Sequence, residues 1–130
     1  QNEMIASNHT LMSSISSRRD TDFSAQLLEA IQKLYKDPEL DVYKLADALG
    51  MSRSLLNEKI QQGFGLSIAQ FIRTYRLNVA KEMICNGTNT EMNISEIAYE
   101  VGFNDPKYFT RCFTKEFNAT PSEMHRKSKD

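Results

Sequence analysis

Residues 45–71 recur in altered form as residues 97–124, and this internal repeat limits the possible folds more than any other feature of the sequence. The segment LADALGMS in the first copy matches IAYEVGFN in the second at an offset of 52 residues. One residue is then inserted, and the later apolar pairs match at an offset of 53: Leu56 with Phe109, Ile60 with Phe113, and Phe64 with Phe117. Because these positions recur at helical spacing, the pattern predicts one helical unit built twice.

Each copy places four kinds of residue in the order typical of a helix-turn-helix. A small alanine allows a second helix to cross closely, a glycine supplies the positive φ that ends the first helix, an apolar residue fills the turn, and a polar residue caps the next helix. These residues are Ala46, Gly50, Met51 and Ser52 in the first copy, and Ala98, Gly102, Phe103 and Asn104 in the second. The second helix of such a unit can enter the major groove of DNA.

Periodicity and cap residues predict an all-α fold of about seven helices, and no segment shows the alternation of a strand. The helices are predicted over 22–36, after Asp41, from Ser52, over 68–85, 94–101 and 105–117, and from Pro121. Three predicted capping boxes are Ser67 with Gln70, Asn93 with Glu96, and Thr120 with Glu123. The expected organisation is a flexible tail (1–20), a homeodomain-like subdomain (21–66), a linker helix (67–86) and a second such subdomain (87–130).

The linker helix over 68–85 sets the spacing of the two units. Its apolar stripe consists of Ile68, Phe71, Ile72, Tyr75, Val79 and Met83, and Gly87 is predicted to end it. Eighteen residues span about 27 Å. With the widths of the flanking units, the two recognition helices are expected about 34 Å apart, which is one turn of B-DNA.

Charge and motif content limit the other classes of function. The net charge of −1 argues against a nucleic-acid binder, although residues 51–90 hold five basic side chains against two acidic ones. The two cysteines, Cys85 and Cys112, and the two histidines, His9 and His125, form no catalytic or metal-binding motif. We expect no enzyme activity in this chain, no cofactor and no metal. We further expect a cytoplasmic fragment of a longer protein, whose other parts could include a membrane anchor.

Three segments carry a family resemblance: LADALGMSRSLL, FIRTYRLNVAKEMI and ISEIAYEVGFNDPKYFTRCFTKEFNATPSEM. Over residues 22–127 the chain resembles the double helix-turn-helix domain of the AraC/XylS family of transcription regulators. VGFNDPKYFTRCFTKEF is similar to the C-terminal output domains of hybrid two-component regulators. The resemblance implies sequence-specific binding of double-stranded DNA, with RNA polymerase and a receiver domain of the same chain as partners. It also implies that the isolated domain is a monomer and the full-length protein a dimer.

In the first unit, the side chains expected to face DNA are Arg53, Ser54 and Asn57, with Lys59 near the phosphates. Arginine pairs with guanine and asparagine with adenine, although a solvated helix face remains an alternative. Glu58 stands where the family commonly has an arginine. It either accepts a hydrogen bond from cytosine or, as we favour, pairs with Lys59 or Arg53 away from the DNA.

In the second unit, Lys107, Thr110 and Arg111 are expected on the exposed face, with Asn104 as the helix cap. By resemblance, Arg111 corresponds to a DNA-facing arginine of the family. The alternative is a surface ion pair with Glu116 or Asp105.

Two questions stay open from the sequence alone. Arg73 and Arg76 of the linker helix could approach a phosphate or form an internal salt bridge. The competing function is a helical module that binds a protein partner, and steep salt dependence of binding would distinguish DNA from such a groove.

Overall fold

The structure, a computed structural model, describes residues 19–86 and 92–129. Within these ranges the chain forms seven helices and no strand, which confirms the all-α prediction. In chain order they are α1 (Arg19–Leu34), α2 (Val42–Ala48), α3 (Arg53–Phe64), α4 (Ile68–Asn86), α5 (Ile94–Glu100), α6 (Pro106–Phe117) and α7 (Pro121–Lys129). Residues 1–18 of the predicted tail and Gly87, the predicted end of the linker helix, lie outside the described residues.

Local sequence starts several helices as predicted. Ser67 donates its backbone N–H to Gln70 Oε1 at 2.9 Å, and the N–H of Gln70 returns to Ser67 Oγ at 3.1 Å. The other two capping boxes, Asn93 with Glu96 and Thr120 with Glu123, have the same reciprocal bonds. Each box satisfies backbone N–H groups that would otherwise lack partners at a helix start.

The first helix is shifted from its predicted range of 22–36. It begins at Arg19 and ends at Leu34, after which the N–H of Asp37 bonds to the carbonyl of Leu34 at 3.1 Å. Pro38 disfavours helical backbone at the residue before it, so the chain turns ahead of the proline.

The two copies of the repeat close their turns with the same hydrogen bond. Met51 N–H bonds to the carbonyl of Ala46 at 3.0 Å, and Phe103 N–H bonds to that of Ala98 at 2.9 Å. Gly50 and Gly102 both have positive φ, of 65° and 104°. The sequence repeat is therefore also a structural repeat.

Helix α4 is unbroken, as predicted, and is buried on two sides. The apolar stripe in the sequence predicted only one of these buried sides. Phe71 contacts the ring of Phe64 in α3 with centroids 5.3 Å apart, on the side of the first unit. Leu77 is 2 % exposed and lines a groove with Tyr108 and Cys112 of α6, on the side of the second unit. Ala80 and Ile84 are also buried and follow Leu77 at helical spacing.

Half-buried Arg76 joins the two units. Its Nε donates to the carbonyl of Tyr35 at 2.9 Å, and its Nη2 donates to the carbonyl of Asp37 at 2.7 Å. Burial lowers the pKa of the guanidinium, while the charge of Asp37 opposes this shift. Gly102, in the turn of the second unit, packs directly on this group: a Cβ at Gly102 would lie 2.6 Å from Arg76 Nε and 2.2 Å from the carbonyl oxygen of Tyr35.

A surface ion pair crosses the same junction. Lys36 Nζ lies 3.0 Å from a carboxylate oxygen of Glu100, and this contact raises the pKa of Lys36. Both side chains are well exposed, so the pair adds less to stability than the buried hydrogen bonds of Arg76.

The two turn glycines allow a matched test of this junction. Gly50→Ala should cost about 1–2 kcal/mol, since alanine is strained at positive φ but its Cβ meets open space. Gly102→Ala should cost about 3 kcal/mol or more, because its Cβ also collides with backbone. Urea unfolding followed by circular dichroism measures both, and equal losses would show that the close packing at Gly102 contributes nothing.

Candidate nucleic-acid interface

Helix α3 presents to solvent a mostly polar face whose charges cancel. Ser52 caps it by accepting the N–H of Leu55 at 3.1 Å, and Leu56 and Ile60 turn inward with no exposed surface. The helix axis then directs the opposite side outward. The exposed side chains of this helix are Arg53, Ser54, Leu55, Asn57, Glu58, Gln61 and Gln62.

Arg53 is held by the preceding helix. Its Nη1 donates to the hydroxyl of Tyr43 at 3.2 Å, and its Cζ lies 5.1 Å from the centre of the Tyr43 ring. Tyr43 itself is 62 % exposed on α2. A guanidinium has five N–H donors, so this contact orients Arg53 and leaves it capable of further hydrogen bonds.

Lys59 does not join the other predicted side chains of α3. Its ammonium lies over the ring of Phe23 in α1, with Nζ 5.2 Å from the ring centre, and the side chain is partly buried. Arg53, Ser54 and Asn57 instead line a groove with the start of α4. The structure therefore places Lys59 on the other flank of the helix.

The interpretation of Glu58 as an ion-pair partner of Lys59 or Arg53 is wrong. Those cations contact Phe23 and Tyr43, and no salt bridge in the described ranges includes Glu58. Its helical neighbours one turn away are uncharged: Ser54, Leu55, Gln61 and Gln62. Glu58 is thus an exposed carboxylate in the middle of the outward face of α3.

The cap of α6 is Asp105, so the prediction that Asn104 caps this helix is wrong. The carboxylate of Asp105 accepts the N–H of Lys107 at 3.0 Å. Pro106 occupies the first helical position, where its missing N–H costs nothing, and the cap must therefore be the residue before the proline. The inserted residue of the second copy thus lies before the cap, and Asn104 is an exposed residue of the turn.

Helix α6 presents a basic face. Phe109 and Phe113 are fully buried, and Arg111 lies on the opposite side with its Cζ 5.5 Å from the centre of the Tyr108 ring. No salt bridge in the described residues joins Arg111 to Glu116 or Asp105, so that alternative is wrong. Thr110 is only partly exposed, at the flank of the face.

Lys107 and Lys115 lie on the exposed face with Arg111. Sequence reasoning included Lys107 but missed Lys115. Helical spacing could have found it, because Lys115 follows Arg111 by four residues and therefore lies on the same side.

Continuous grooves link the exposed sides of α3 and α6. One groove runs beside Asn57 and includes Val42 and Ala69. The same two residues line a second groove, which reaches Asn104 and Tyr108 of the other unit. The start of α4 therefore lies between the two units along this surface.

A third groove continues this surface over α6. Arg73 and Tyr108 line both the second groove and the third, which includes Arg111 and Lys115. Five of the predicted residues thus border these adjoining grooves: Arg53, Ser54, Asn57, Asn104 and Arg111. We call this surface the two-helix face: the exposed sides of α3 and α6 with Ala69, Gln70 and Arg73 of α4 between them.

The two arginines of α4 have different positions. Arg73 is partly exposed on the two-helix face. Arg76 donates to the carbonyls of Tyr35 and Asp37 and to no carboxylate in the described residues, so the predicted internal salt bridge is wrong for it. Helical periodicity could not reveal this, because the partners are 41 and 39 residues away in sequence.

Two helix-turn-helix units with their second helices on one face define a protein of the double helix-turn-helix DNA-binding class. The chain belongs to the AraC family of transcription regulators: a family model described as a helix-turn-helix domain, of the AraC type, matches residues 45–127.

Known relatives agree with this assignment. The chain is 37 % identical over 106 residues to histidine kinase P4 of Formosa agariphila, covering 78 % of this chain and 8 % of that protein. It is 32 % identical over 98 residues to the virulence regulon transcriptional activator VirF of Yersinia enterocolitica, covering 73 % of this chain and 35 % of that protein. The chain therefore spans only a small part of these relatives.

A solved structure has the same fold. The C-terminal domain of the two-component response regulator yesN from Fusobacterium nucleatum superposes with a TM-score of 0.71 at 26 % identity. The match covers 81 % of this chain and 99 % of that domain. Among the helices that the structure describes, none is long and apolar enough to cross a membrane.

The corrected cap of α6 can be tested by two neighbouring substitutions. Asp105→Ala should lower the free energy of unfolding by about 1 kcal/mol, because the N–H of Lys107 loses its acceptor. Asn104→Ala should change it by less than about 0.5 kcal/mol, as expected for an exposed residue without a cap role. A larger loss from Asn104→Ala in chemical denaturation would restore the original assignment.

Proposed function

We propose that this chain binds double-stranded DNA sequence-specifically, with α3 and α6 in adjacent major grooves, and regulates transcription as the output domain of a larger signalling protein. The observation that carries the proposal is the two-helix face, because it presents both recognition helices on one connected surface. A rigid helix between the units supports simultaneous contact with two grooves one helical turn apart.

The charges of this face support DNA as the partner despite the net charge of −1. The exposed charged side chains of α6 are Lys107, Arg111, Lys115 and Glu116, so basic groups outnumber the acidic one. Arg73 of α4 lies beside them. Such groups neutralise phosphates and release counterions, so affinity should fall steeply with salt. A protein-binding groove would show much weaker salt dependence, which separates the two functions.

The proposed roles of individual residues follow their positions. In α3, Arg53, Ser54 and Asn57 are proposed to contact DNA, and Lys59 to add only non-specific attraction from the flank. In α6, Arg111 is proposed to read a base, with Lys107, Thr110, Asn104 and Lys115 around it. Arginine bonds two acceptors of guanine in the major groove, which makes Arg111 the strongest candidate for base readout.

The relatives suggest the protein context. One is named a histidine kinase and another is the C-terminal domain of a two-component response regulator. We propose that a receiver domain of the same chain precedes this domain and that RNA polymerase is a further partner. Two receivers that associate would raise the effective concentration of the second DNA-binding domain, so the full-length protein is proposed to act as a dimer.

The isolated chain of 130 residues is expected to be a monomer that binds one site weakly. Light scattering measures its mass directly. A stable dimer of the isolated chain would contradict the proposal that association depends on the receiver.

Two substitutions test the proposed DNA contacts. Arg111→Ala should cost about 1–3 kcal/mol on a duplex selected from random sequences and should relax the preference at one position. Lys59→Ala should weaken selected and scrambled duplexes alike, with a salt slope reduced by about one contact at most. Titrations at two salt concentrations measure both effects.

These titrations can also contradict the proposal. Equal weakening of both duplexes by Arg111→Ala would make it a phosphate contact rather than a base contact. If the unaltered chain binds no duplex in a salt-dependent way, the DNA-binding function itself is wrong.

A further inference from the structure

Glu58 and Arg111 occupy the same place in the two units. Glu58 is six residues after the cap Ser52, and Arg111 is six residues after the cap Asp105. Both caps start helices of 12 residues with the same inward apolar spacing. If the two units dock on DNA in the same way, the carboxylate of Glu58 and the guanidinium of Arg111 occupy equivalent positions in two neighbouring major grooves.

The surroundings of these two groups differ in charge. Glu58 is flanked one turn away only by the uncharged Ser54, Leu55, Gln61 and Gln62. Arg111 is flanked at the same spacing by Lys107 and Lys115. The exposed face of α6 therefore attracts phosphates more strongly than that of α3, where the charge of Arg53 is offset by that of Glu58.

A carboxylate without a cation partner is unfavourable near DNA unless a base donates to it. Guanine and thymine present only acceptors at the polar atoms of the major groove, and these repel a carboxylate. Adenine presents its N6 amino group next to the N7 acceptor, which repels a carboxylate, whereas cytosine presents its N4 amino group with no acceptor on its own edge. The cytosine donor is therefore the one that suits glutamate best. Glu58 can therefore reject wrong sites by repulsion and tolerate a site that offers cytosine.

We propose that Glu58 is a specificity-determining residue that reads a cytosine, and that the two units divide the work of binding. In this division α6 supplies most of the electrostatic affinity together with the base contact of Arg111, and α3 supplies further discrimination through Glu58. The proposal rests on the proposed DNA-binding function. It also predicts geometry, because the position read by Glu58 should lie about 10 base pairs from the position read by Arg111.

The test compares the sequences selected from random duplexes by the unaltered chain, by Glu58→Gln and by Glu58→Arg. Glutamine pairs with adenine, so Glu58→Gln should move one position from C·G towards A·T. Its affinity for the duplex selected by the unaltered chain should fall about tenfold, while its affinity for a scrambled duplex should not fall. Glu58→Arg should move the same position towards G·C with guanine on the contacted strand.

Glu29→Gln is the matched control, because it removes the same charge from an exposed side chain of α1. Among the described residues, that carboxylate pairs with the exposed Lys33 at 3.2 Å, so its loss should leave both the fold and the selected sequence unchanged. Circular dichroism of each variant verifies that the helices are retained.

Three outcomes separate the proposals. A shifted base at one position supports the role of Glu58. If both Glu58 variants select the same sequence as the unaltered chain, the role of Glu58 is wrong, but the DNA-binding function is not contradicted. The same conclusion holds if the variants bind all duplexes more tightly by the same factor. If the unaltered chain selects no sequence at all, the proposed function fails, and the inference about Glu58 fails with it.

Discussion

The arrangement of this protein depends on the guanidinium of Arg76, which ties the end of the first helix to the turn of the second unit. It donates to the carbonyls of Tyr35 and Asp37, which lie just after the end of α1. Gly102 packs against the same group at a distance that no side chain could occupy. Because this contact joins elements of both units to α4, it determines how the two recognition helices are oriented relative to each other.

With that orientation fixed, one fold unit used twice can perform two different tasks. The cores of the two copies are alike, with buried apolar residues at matching positions and the same turn hydrogen bond. Their exposed faces differ, since α6 carries lysine and arginine where α3 carries serine, glutamine and glutamate. The two units can share a fold and still differ at their surfaces, because close packing constrains only the side chains that point inward.

Much of the fold could be predicted because its signals are local. The capping boxes join residues that are close in sequence, such as Ser67 with Gln70 and Asn93 with Glu96. The sequence alone therefore predicts where these helices start. The glycines of the turns and the apolar spacing of the helices are equally local. The cap of α6 was assigned to Asn104 because two polar residues, Asn104 and Asp105, precede this helix. Pro106 at the first helical position shows that the cap is Asp105.

The sequence by itself therefore determined the helices, the repeat and the family. The tertiary structure decided which charged side chains are available at the surface. In the sequence Arg76 resembles its neighbour Arg73, but in the structure its guanidinium donates to two carbonyls just after α1. The ammonium of Lys59 lies over the ring of Phe23, on the flank of α3. The long side chains of arginine and lysine reach several ångströms from their helix, so their partners are set by what packs nearby in space and not by spacing along the chain.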